Sequence, residues 1–238
     1  MRGFADILRF DIVVQARNGF YWASVFVVLA ITALLSAVPV AITNNPGLWV
    51  PALVAFNLQI TTFFFVAGLL LLEKDEGTLT ALGVSPLSAR RYMLARTITL
   101  TTLAAVETLI IVWVSFGVAT SWALFAGIGA LGITYTCLGV AVAARYDSIN
   151  NLLLPASVIV TVLLLPLLGH FGLAPRLLLV WHPMEPAITL LRAAYGPTAV
   201  YDLLFGVVGS ATWAWLAFRL AQSAVTQLMR DTRASGGR

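Results

Sequence analysis

The chain has 238 residues, of which 60% are hydrophobic and only 10% are charged. This number of polar side chains is too small to cover the surface of a water-soluble globule of this size. The composition therefore excludes an ordinary soluble domain and predicts a bilayer as the main solvent. The formal net charge of +4 comes from basic residues placed between long apolar runs, which argues against a nucleic-acid partner. The one cysteine, Cys137, excludes an intrachain disulfide and a cysteine-based metal cluster.

The first 19 residues mix apolar side chains with charged ones. Phe4, Ile7 and Leu8 stand among Asp6 and Arg9, a pattern typical of a helix that lies in the membrane interface. We therefore predict an interfacial helix over residues 1–19. The alternative is a plain cytoplasmic extension of the first span.

Apolar runs long enough to cross a membrane follow this segment. A helix rises about 1.5 Å per residue and the hydrocarbon core is about 30 Å thick, so a span needs roughly 20 apolar residues. The run over 97–144 is too long for one span, and Gly117 with Thr120 and Ser121 gives its natural break. We predict an all-α integral membrane protein with six transmembrane helices, at residues 20–42, 50–72, 92–118, 122–143, 149–168 and 202–220.

Between the fifth and sixth spans, prolines interrupt two short apolar pieces, 177–181 and 187–195. Neither piece is long enough to cross, so we expect short external helices that rest on the outer leaflet or dip into it. An ordinary surface loop is the alternative. The whole chain, 1–238, is then one transmembrane domain: the interfacial helix, a six-span bundle over 20–220 and a cytoplasmic tail over 221–238.

The basic residues predict the orientation. Of the 14 Lys and Arg residues, only Arg176 and Arg192 fall outside the connections on the side of the two termini. Cytoplasmic connections retain positive charge, so both termini are expected in the cytoplasm, which requires an even number of spans. We expect a multi-pass protein of the plasma (inner) membrane.

The connection after the second span concentrates charge and then becomes amphipathic. Gly77 permits a sharp bend, Thr78 is suited to cap a short helix, and Pro86 ends that helix before the third span. A short surface helix that emerges from the bilayer at this point is well placed to dock a cytoplasmic partner.

This connection resembles the one in permeases of the ABC-2 type transporter family, where an acidic residue, Gly-Thr-Leu, a short helix and Ser/Thr-Pro precede the third span. The length, the six spans and the proline-rich external segment extend the resemblance over the whole chain, with Pro183 and Arg192 at the family's approximate positions and Glu185 between them. The resemblance implies that an ATPase moves the permease through a coupling loop made of Glu73, Lys74, Asp75, Glu76, Gly77, Thr78, Leu79 and Pro86.

The chain has no Gly-x-x-x-x-Gly-Lys-Ser/Thr loop, and its single lysine, Lys74, follows a span and no glycine-rich turn. We therefore expect a transport subunit that is no enzyme by itself and binds no cofactor. The resemblance implies separate cytoplasmic ATPase subunits that hold ATP and Mg, and a dimer with a second permease half, either identical or a paralogue.

Several polar side chains lie inside the predicted spans. Glu107, near the middle of the third span, costs about 2.5–3.5 kcal/mol to insert as a charge, so it should face protein or water. A proton relay, a contact for a cationic substrate and a hydrogen-bonded protonated carboxyl are all open. The resemblance implies a path between the second and fifth spans, whereas interhelical hydrogen bonding explains each residue equally well. The candidate path residues are Asn57, Gln59, Thr61, Glu107, Asn151, Ser157 and Thr161.

Two other patterns concern packing and metals. Gly129, Gly132, Thr136 and Gly139 recur at helical spacing and predict close helix packing of the fourth span. His170 and His182 have no cysteine or carboxylate partners at metal-ligand spacing apart from Glu185, so we predict no metal site, and no nucleophile with an adjacent base is visible.

The wall chemistry favours a hydrophobic or amphipathic substrate, such as a drug or a lipid-like molecule, because the spans carry little fixed charge and include the aromatic run 63–65. Three alternatives remain: a permease that resembles the haem-exporter B subunit of cytochrome c maturation, an ATPase-independent secondary transporter that uses Glu107, and a membrane scaffold without transport.

Overall fold

The computed structural model describes residues 3–38, 44–78, 88–117 and 121–235, and all regular structure in these ranges is helical. The helices are α1 (Phe4–Arg17), α2 (Phe20–Ser36), α3 (Pro46–Asp75), α4 (Ala89–Phe116), α5 (Trp122–Ala143), α6 (Ile149–His170), α7 (Glu185–Ala193) and α8 (Val200–Ser235). A π-helical segment, Gln59–Phe64, lies within α3, and a short 3-10 turn, Arg176–Leu179, precedes α7.

Among the described helices, α3, α4, α5, α6 and α8 are long and apolar enough to cross a membrane. The pair α1 and α2 passes the same criterion together and is bent by 64° between its two parts. The predicted all-α, multi-span fold is therefore confirmed. The described helices provide five candidate spans, or six if the bent pair α1 and α2 forms a single span. The predicted ends of the first and third spans, at 42 and 118, lie outside the described residues.

Local sequence signals set most helix ends. Gly117 takes a left-handed φ of +84° and ends α4, and the Ser121 hydroxyl accepts a hydrogen bond from the backbone N–H of Ala123 at the start of α5. The break in the long apolar run thus lies where the sequence predicts it. Ser88 and Ser148 cap α4 and α6 in the same way.

Two helices continue past their predicted ends. α3 ends at Asp75, beyond the predicted 72, and α8 extends to Ser235, well beyond 220. The prediction ended the last span where the apolar run stops, but Ala217, Ala221 and Val225 continue one buried face at four-residue spacing. Hydropathy marks where the helix leaves the bilayer, while packing decides where the helix itself ends.

The helix α5 is the centre of the bundle and packs against α3, α4, α7 and α8. Glycine allows the close approach: a Cβ at Gly139 would lie 2.7 Å from the carbonyl oxygen of Phe63 in the π-helical segment. Gly127, which the predicted stripe omits, packs against Leu191 of α7, whereas Gly129, which it includes, has nothing within 4 Å. Only part of the predicted stripe therefore serves helix packing.

The external connection before α8 contains a buried element. α7 packs against α3, α5 and α8, and every residue from Glu185 to Leu191 is buried. The predicted short external helices are confirmed by the turn Arg176–Leu179 and by α7. An ordinary surface loop, the alternative interpretation, is excluded for α7.

We expect Gly139→Ala to lower the free energy of unfolding by about 1–3 kcal/mol, because the new methyl group forces the π-helical segment away from α5. The matched control is Gly129→Ala on the same helix, which adds a methyl group in open space and should be neutral or slightly stabilising. Thermal unfolding of the purified variants in detergent measures both. Equal melting temperatures would contradict the close approach.

Candidate functional site

The exposed part of the predicted coupling loop is a short turn at the C-terminal end of α3. Asp75, Glu76 and Gly77 are exposed, and Gly77 adopts a left-handed φ of +68°. Glu76 forms a 3.3 Å ion pair with Arg17 at the end of α1, with both side chains largely in solvent. Thr78 is the last described residue of this stretch, and the predicted loop residues Leu79 and Pro86 lie outside the described residues.

Glu73, which the sequence placed on the coupling surface, is instead buried in the last turns of α3. Its Oε1 accepts from Arg96 Nη2 at 2.5 Å, and its Oε2 accepts from the Tyr92 hydroxyl at 2.6 Å. Arg96 Nε also lies 2.8 Å from Asp11 Oδ1. Glu73 is part of the protein interior because α4 supplies two hydrogen-bond donors to its carboxylate. The exposed neighbours Asp75 and Glu76 have no such donors from α4 among the described contacts.

We call this group of residues, Asp11, Glu73 and Arg96 with Tyr92, Thr99 and Gln15, the Arg96 ion cluster. Gln15 Nε2 donates to Asp11 Oδ2 at 2.7 Å and to Thr99 Oγ1 at 2.8 Å. Asp11 and Gln15 belong to α1, Glu73 to α3, and the other three residues to α4. One buried arginine therefore holds together the N-terminal helix and the two helices that flank the coupling loop.

Lys74, also predicted in the coupling loop, contacts the connection that follows α5. Its Nζ donates to the carbonyl oxygens of Ala144 at 3.0 Å and Tyr146 at 2.6 Å, just after α5 ends. Asp147, which is almost fully exposed, lies 3.6 Å away. A lysine at this place satisfies carbonyl groups that a helix end leaves without intrahelical donors and opposes the negative end of the helix dipole.

A second polar group lies in the middle of the bundle, between α2, α3 and α4. Thr61 Oγ1 donates to Glu107 Oε1 at 2.8 Å, and Asn57 Nδ2 donates to Thr108 Oγ1 at 2.9 Å. Ser24 of α2 lies beside the same carboxyl group. We call Ser24, Asn57, Thr61, Glu107 and Thr108 the central polar cluster. It includes three of the predicted path residues, and Ser24 and Thr108 are members that the sequence did not single out.

The π-helical segment positions one side of this cluster. Thr61 lies within Gln59–Phe64, where the backbone hydrogen bonds join residues five apart instead of four. Such π-helical turns occur frequently at functional sites. Gln59, a further predicted path residue, is buried in the same segment, and its Nε2 has no hydrogen-bond partner among the described residues.

The remaining predicted path residues do not meet the central polar cluster within one chain. Asn151, Ser157 and Thr161 are exposed on α6. The Ser157 and Thr161 hydroxyl groups donate to the carbonyl oxygens of Leu153 and Ser157, within their own helix. The second and fifth spans therefore do not form a shared polar wall inside a single protomer.

The external segment contains a third group of charges around Glu185, which is fully buried. Arg176 Nε lies 2.8 Å from Glu185 Oε1, and Arg192 Nη2 pairs with the same oxygen. Arg176 also reaches Asp202 at the start of α8, at 3.1 Å. These pairs fasten α7 to the connection before it and to the last span. Pro183, the third predicted external residue, lies just before α7. Within the described ranges, no group of three or more His, Cys, Asp or Glu side chains is arranged to hold a metal ion.

His182 ties the external segment to α6. Its Nε2 donates to the carbonyl oxygen of Val162 at 3.0 Å, and its Nδ1 accepts from the backbone N–H of Met184 at 3.2 Å. Val162 is four residues before Pro166, which has no N–H to offer this carbonyl group. The neutral imidazole with its proton on Nε2 makes both bonds, whereas a protonated ring has no acceptor for Met184.

We expect Arg96→Met to lower the free energy of unfolding by about 3–5 kcal/mol, because the carboxylates of Asp11 and Glu73 then stay buried without a counter-charge. The matched control is Arg17→Met, which breaks the exposed pair with Glu76 and should cost about 0–1 kcal/mol. Thermal unfolding of the two variants in detergent distinguishes them. Similar losses in both would show that the Arg96 ion cluster does not fasten the three helices.

A pH dependence follows from His182. Burial lowers the pKa of His182 from its ordinary value of 6.5, and the bond to the Val162 carbonyl opposes this only partly. The unfolded chain therefore takes up the proton at higher pH than the folded chain, so the stabilisation is complete above about pH 6.5 and is lost as the pH falls below it. We expect the melting temperature of the wild type to fall further between about pH 7.5 and 5 than that of His182→Gln. Parallel curves would contradict this.

The similarity of the chain to known proteins agrees with this architecture. Residues 2–231 match the fluoroquinolones export permease protein family. Two relatives, from two strains of Mycobacterium tuberculosis and each named fluoroquinolones export permease protein, are 27% identical to the chain over 219 residues. The match covers 89% of this chain and 91% of each relative. The chain therefore belongs to the fluoroquinolones export permease family.

Proposed function

We propose that the chain is the membrane-spanning permease of an ATP-driven exporter of the ABC-2 type, and that it moves amphipathic drugs out across the plasma membrane. Family membership supports drug export, and the names of the two relatives support fluoroquinolones as members of the substrate class. Both termini lie in the cytoplasm under this proposal. Cytoplasmic ATPase subunits hold ATP and Mg, while the permease binds neither.

The observation that carries the proposal is the direct connection between the exposed turn and the buried ion cluster. Asp75 and Glu76 face solvent, and Glu73, less than one helical turn away, is held by Arg96. An ATPase that pushes on this turn therefore acts at once on α4 through Arg96 and on α1 through Asp11. In this arrangement the surface residues receive the force, and Glu73 transmits it.

A dimer of permeases gives the exposed polar residues of α6 a role. Asn151, Ser157 and Thr161 are exposed on this helix, which is mostly exposed in the single chain. Polar side chains on a spanning helix normally face protein or a water-filled path, because lipid offers them no hydrogen bonds. We propose that a second permease copy or a paralogue covers this face, and that the substrate path lies between the two halves.

A secondary transporter without an ATPase is the competing function. The observation that favours it is Glu107, a carboxyl group in mid-span that forms no ion pair with any described residue. Ion-coupled carriers use such groups. The family match favours drug export over the haem-exporter alternative.

Co-purification of an ATPase from native membranes tests the proposal. We expect the wild type to bring down a soluble P-loop ATPase, and we expect Asp75→Arg and Gly77→Pro to lose it, because the first reverses an exposed charge and the second cannot adopt a φ of +68°. Asp147→Arg is the matched control, since it reverses an exposed acidic residue on the neighbouring connection and should keep the ATPase.

Melting temperatures of Asp75→Arg and Asp147→Arg should stay near that of the wild type, because these residues are exposed. Gly77→Pro strains the backbone and should lower the melting temperature, so loss of the ATPase is assigned to the turn only when Asp75→Arg loses it as well. An ATPase that associates equally with the wild type and with both loop variants would place the docking surface elsewhere. If the wild type brings down no ATPase and still exports drug, the secondary transporter is the correct function.

A further inference from the structure

Glu107 differs from the other acidic residues that the structure describes in the spans, because it is both deep and without a cation. It is 11 residues from Arg96 along α4, or about 16 Å from the Arg96 ion cluster. Its side chain is 2% exposed, and no Lys, Arg or His among the described residues lies within ion-pair distance of it. The buried acids Asp11, Glu73 and Glu185 each have an arginine.

The central polar cluster also has more acceptor oxygens than it fills. Glu107 Oε2, Asn57 Oδ1 and the Ser24 hydroxyl group are buried and make no hydrogen bond of good geometry in the described part of the chain, although the Ser24 and Asn57 side chains lie beside the carboxyl group. Buried polar atoms are normally paired, so several unpaired oxygens side by side indicate a missing donor. A proton on Glu107 supplies one donor, whereas a bound group that is to satisfy the charged carboxylate and its neighbours must carry positive charge and several N–H or O–H bonds.

A protonated amine has both properties. It offers up to three donors from one atom and neutralises the carboxylate, and a charge-assisted bond of this kind is stronger than a neutral one. A proton alone neutralises Glu107 when no amine is present, which explains how the site exists between transport events. A fixed arginine at this place would fill the site permanently and leave no room for a transported charge.

The cover over the site is α2, the least packed of the helices that form it. Ser24 is the one residue of α2 that is buried among those described, and it lies against Glu107. α2 joins α1 through Gly19, which has a φ of +78°, and α1 is fastened to the coupling side by Asp11 and Arg17. A displacement of the exposed turn at residues 75–77 therefore reaches α2 through α1 and moves Ser24 away from the carboxyl group of Glu107.

We propose that Glu107 is the specificity-determining residue for a protonated amine on the exported molecule, held by the central polar cluster and uncovered by α2. The inference rests on the proposed export function and narrows its substrate class to amphipathic molecules with a basic amine. Substrates of the same shape without the amine charge are then exported by apolar contacts alone.

The test compares two drugs of nearly the same shape in native cells whose chromosomal copy is wild type, deleted, Glu107→Gln or Glu107→Asp. The probes are ciprofloxacin, with a basic piperazine amine, and its N-acetyl derivative, in which the amine is a neutral amide. We expect Glu107→Gln to reduce the efflux rate of ciprofloxacin about tenfold or more and to change that of the acetyl derivative less than about twofold. Glu107→Asp keeps the charge and should keep the preference for ciprofloxacin.

The outcomes separate this inference from the proposed function. If deletion changes the efflux of neither drug, the proposed drug export fails and the inference fails with it. If deletion abolishes efflux but Glu107→Gln affects both drugs alike or neither, export stands and amine recognition by Glu107 is wrong. A Glu107→Gln protein that is absent from the membrane is replaced by Glu107→Asp, where an equal loss for both drugs also overturns the inference.

Discussion

The contact of Arg96 with two carboxylates, where α3 ends and α4 begins, is the interaction on which the rest of the arrangement depends. Arg96 is 2% exposed and is bonded to Asp11 and Glu73. A buried charge is tolerated only when it is paired and hydrogen-bonded, so the three residues must stay together or the helices must separate. The orientation of α1, the end of α3 and the start of α4 are therefore fixed by one side chain. A movement of the exposed turn at residues 75–77 therefore also moves α1 and α4 while these bonds hold.

The buried acids of the three polar groups in the bundle are paired in different ways. The Arg96 ion cluster and the charges around Glu185 pair acids with arginines. The central polar cluster contains an acid and only neutral neighbours, in the region where a bound charge is most costly. Stable pairing at the two ends and incomplete pairing in the middle divide the bundle into fixed ends and a centre that can accept a ligand.

The sequence predicts the spans well because bilayer thickness and helix rise leave few choices. The break at Gly117 and Ser121 was predictable because local capping geometry sets it. The partners of Glu73 were not predictable, because Arg96 is 23 residues away and Asp11 lies on a different helix. Charge density next to a span suggested a solvated loop, and only the packing of α4 shows that Glu73 turns inward while Asp75 and Glu76 turn outward. The grouping of α6 residues with Asn57 and Thr61 likewise depends on contacts that one chain does not make.

The length of α8 has a mechanical consequence. Its 36 residues span about 54 Å as a straight helix, whereas a bilayer with its headgroups is about 40–45 Å thick. When the helix runs along the bilayer normal, about two turns therefore project beyond one membrane surface as a continuation of the span, with Val225 and Met229 still packed on the bundle. Such a projection fixes the distance between the lipid surface and any subunit that docks on it. It also transmits a tilt of that subunit to the opposite face of the membrane, because the helix has no flexible joint.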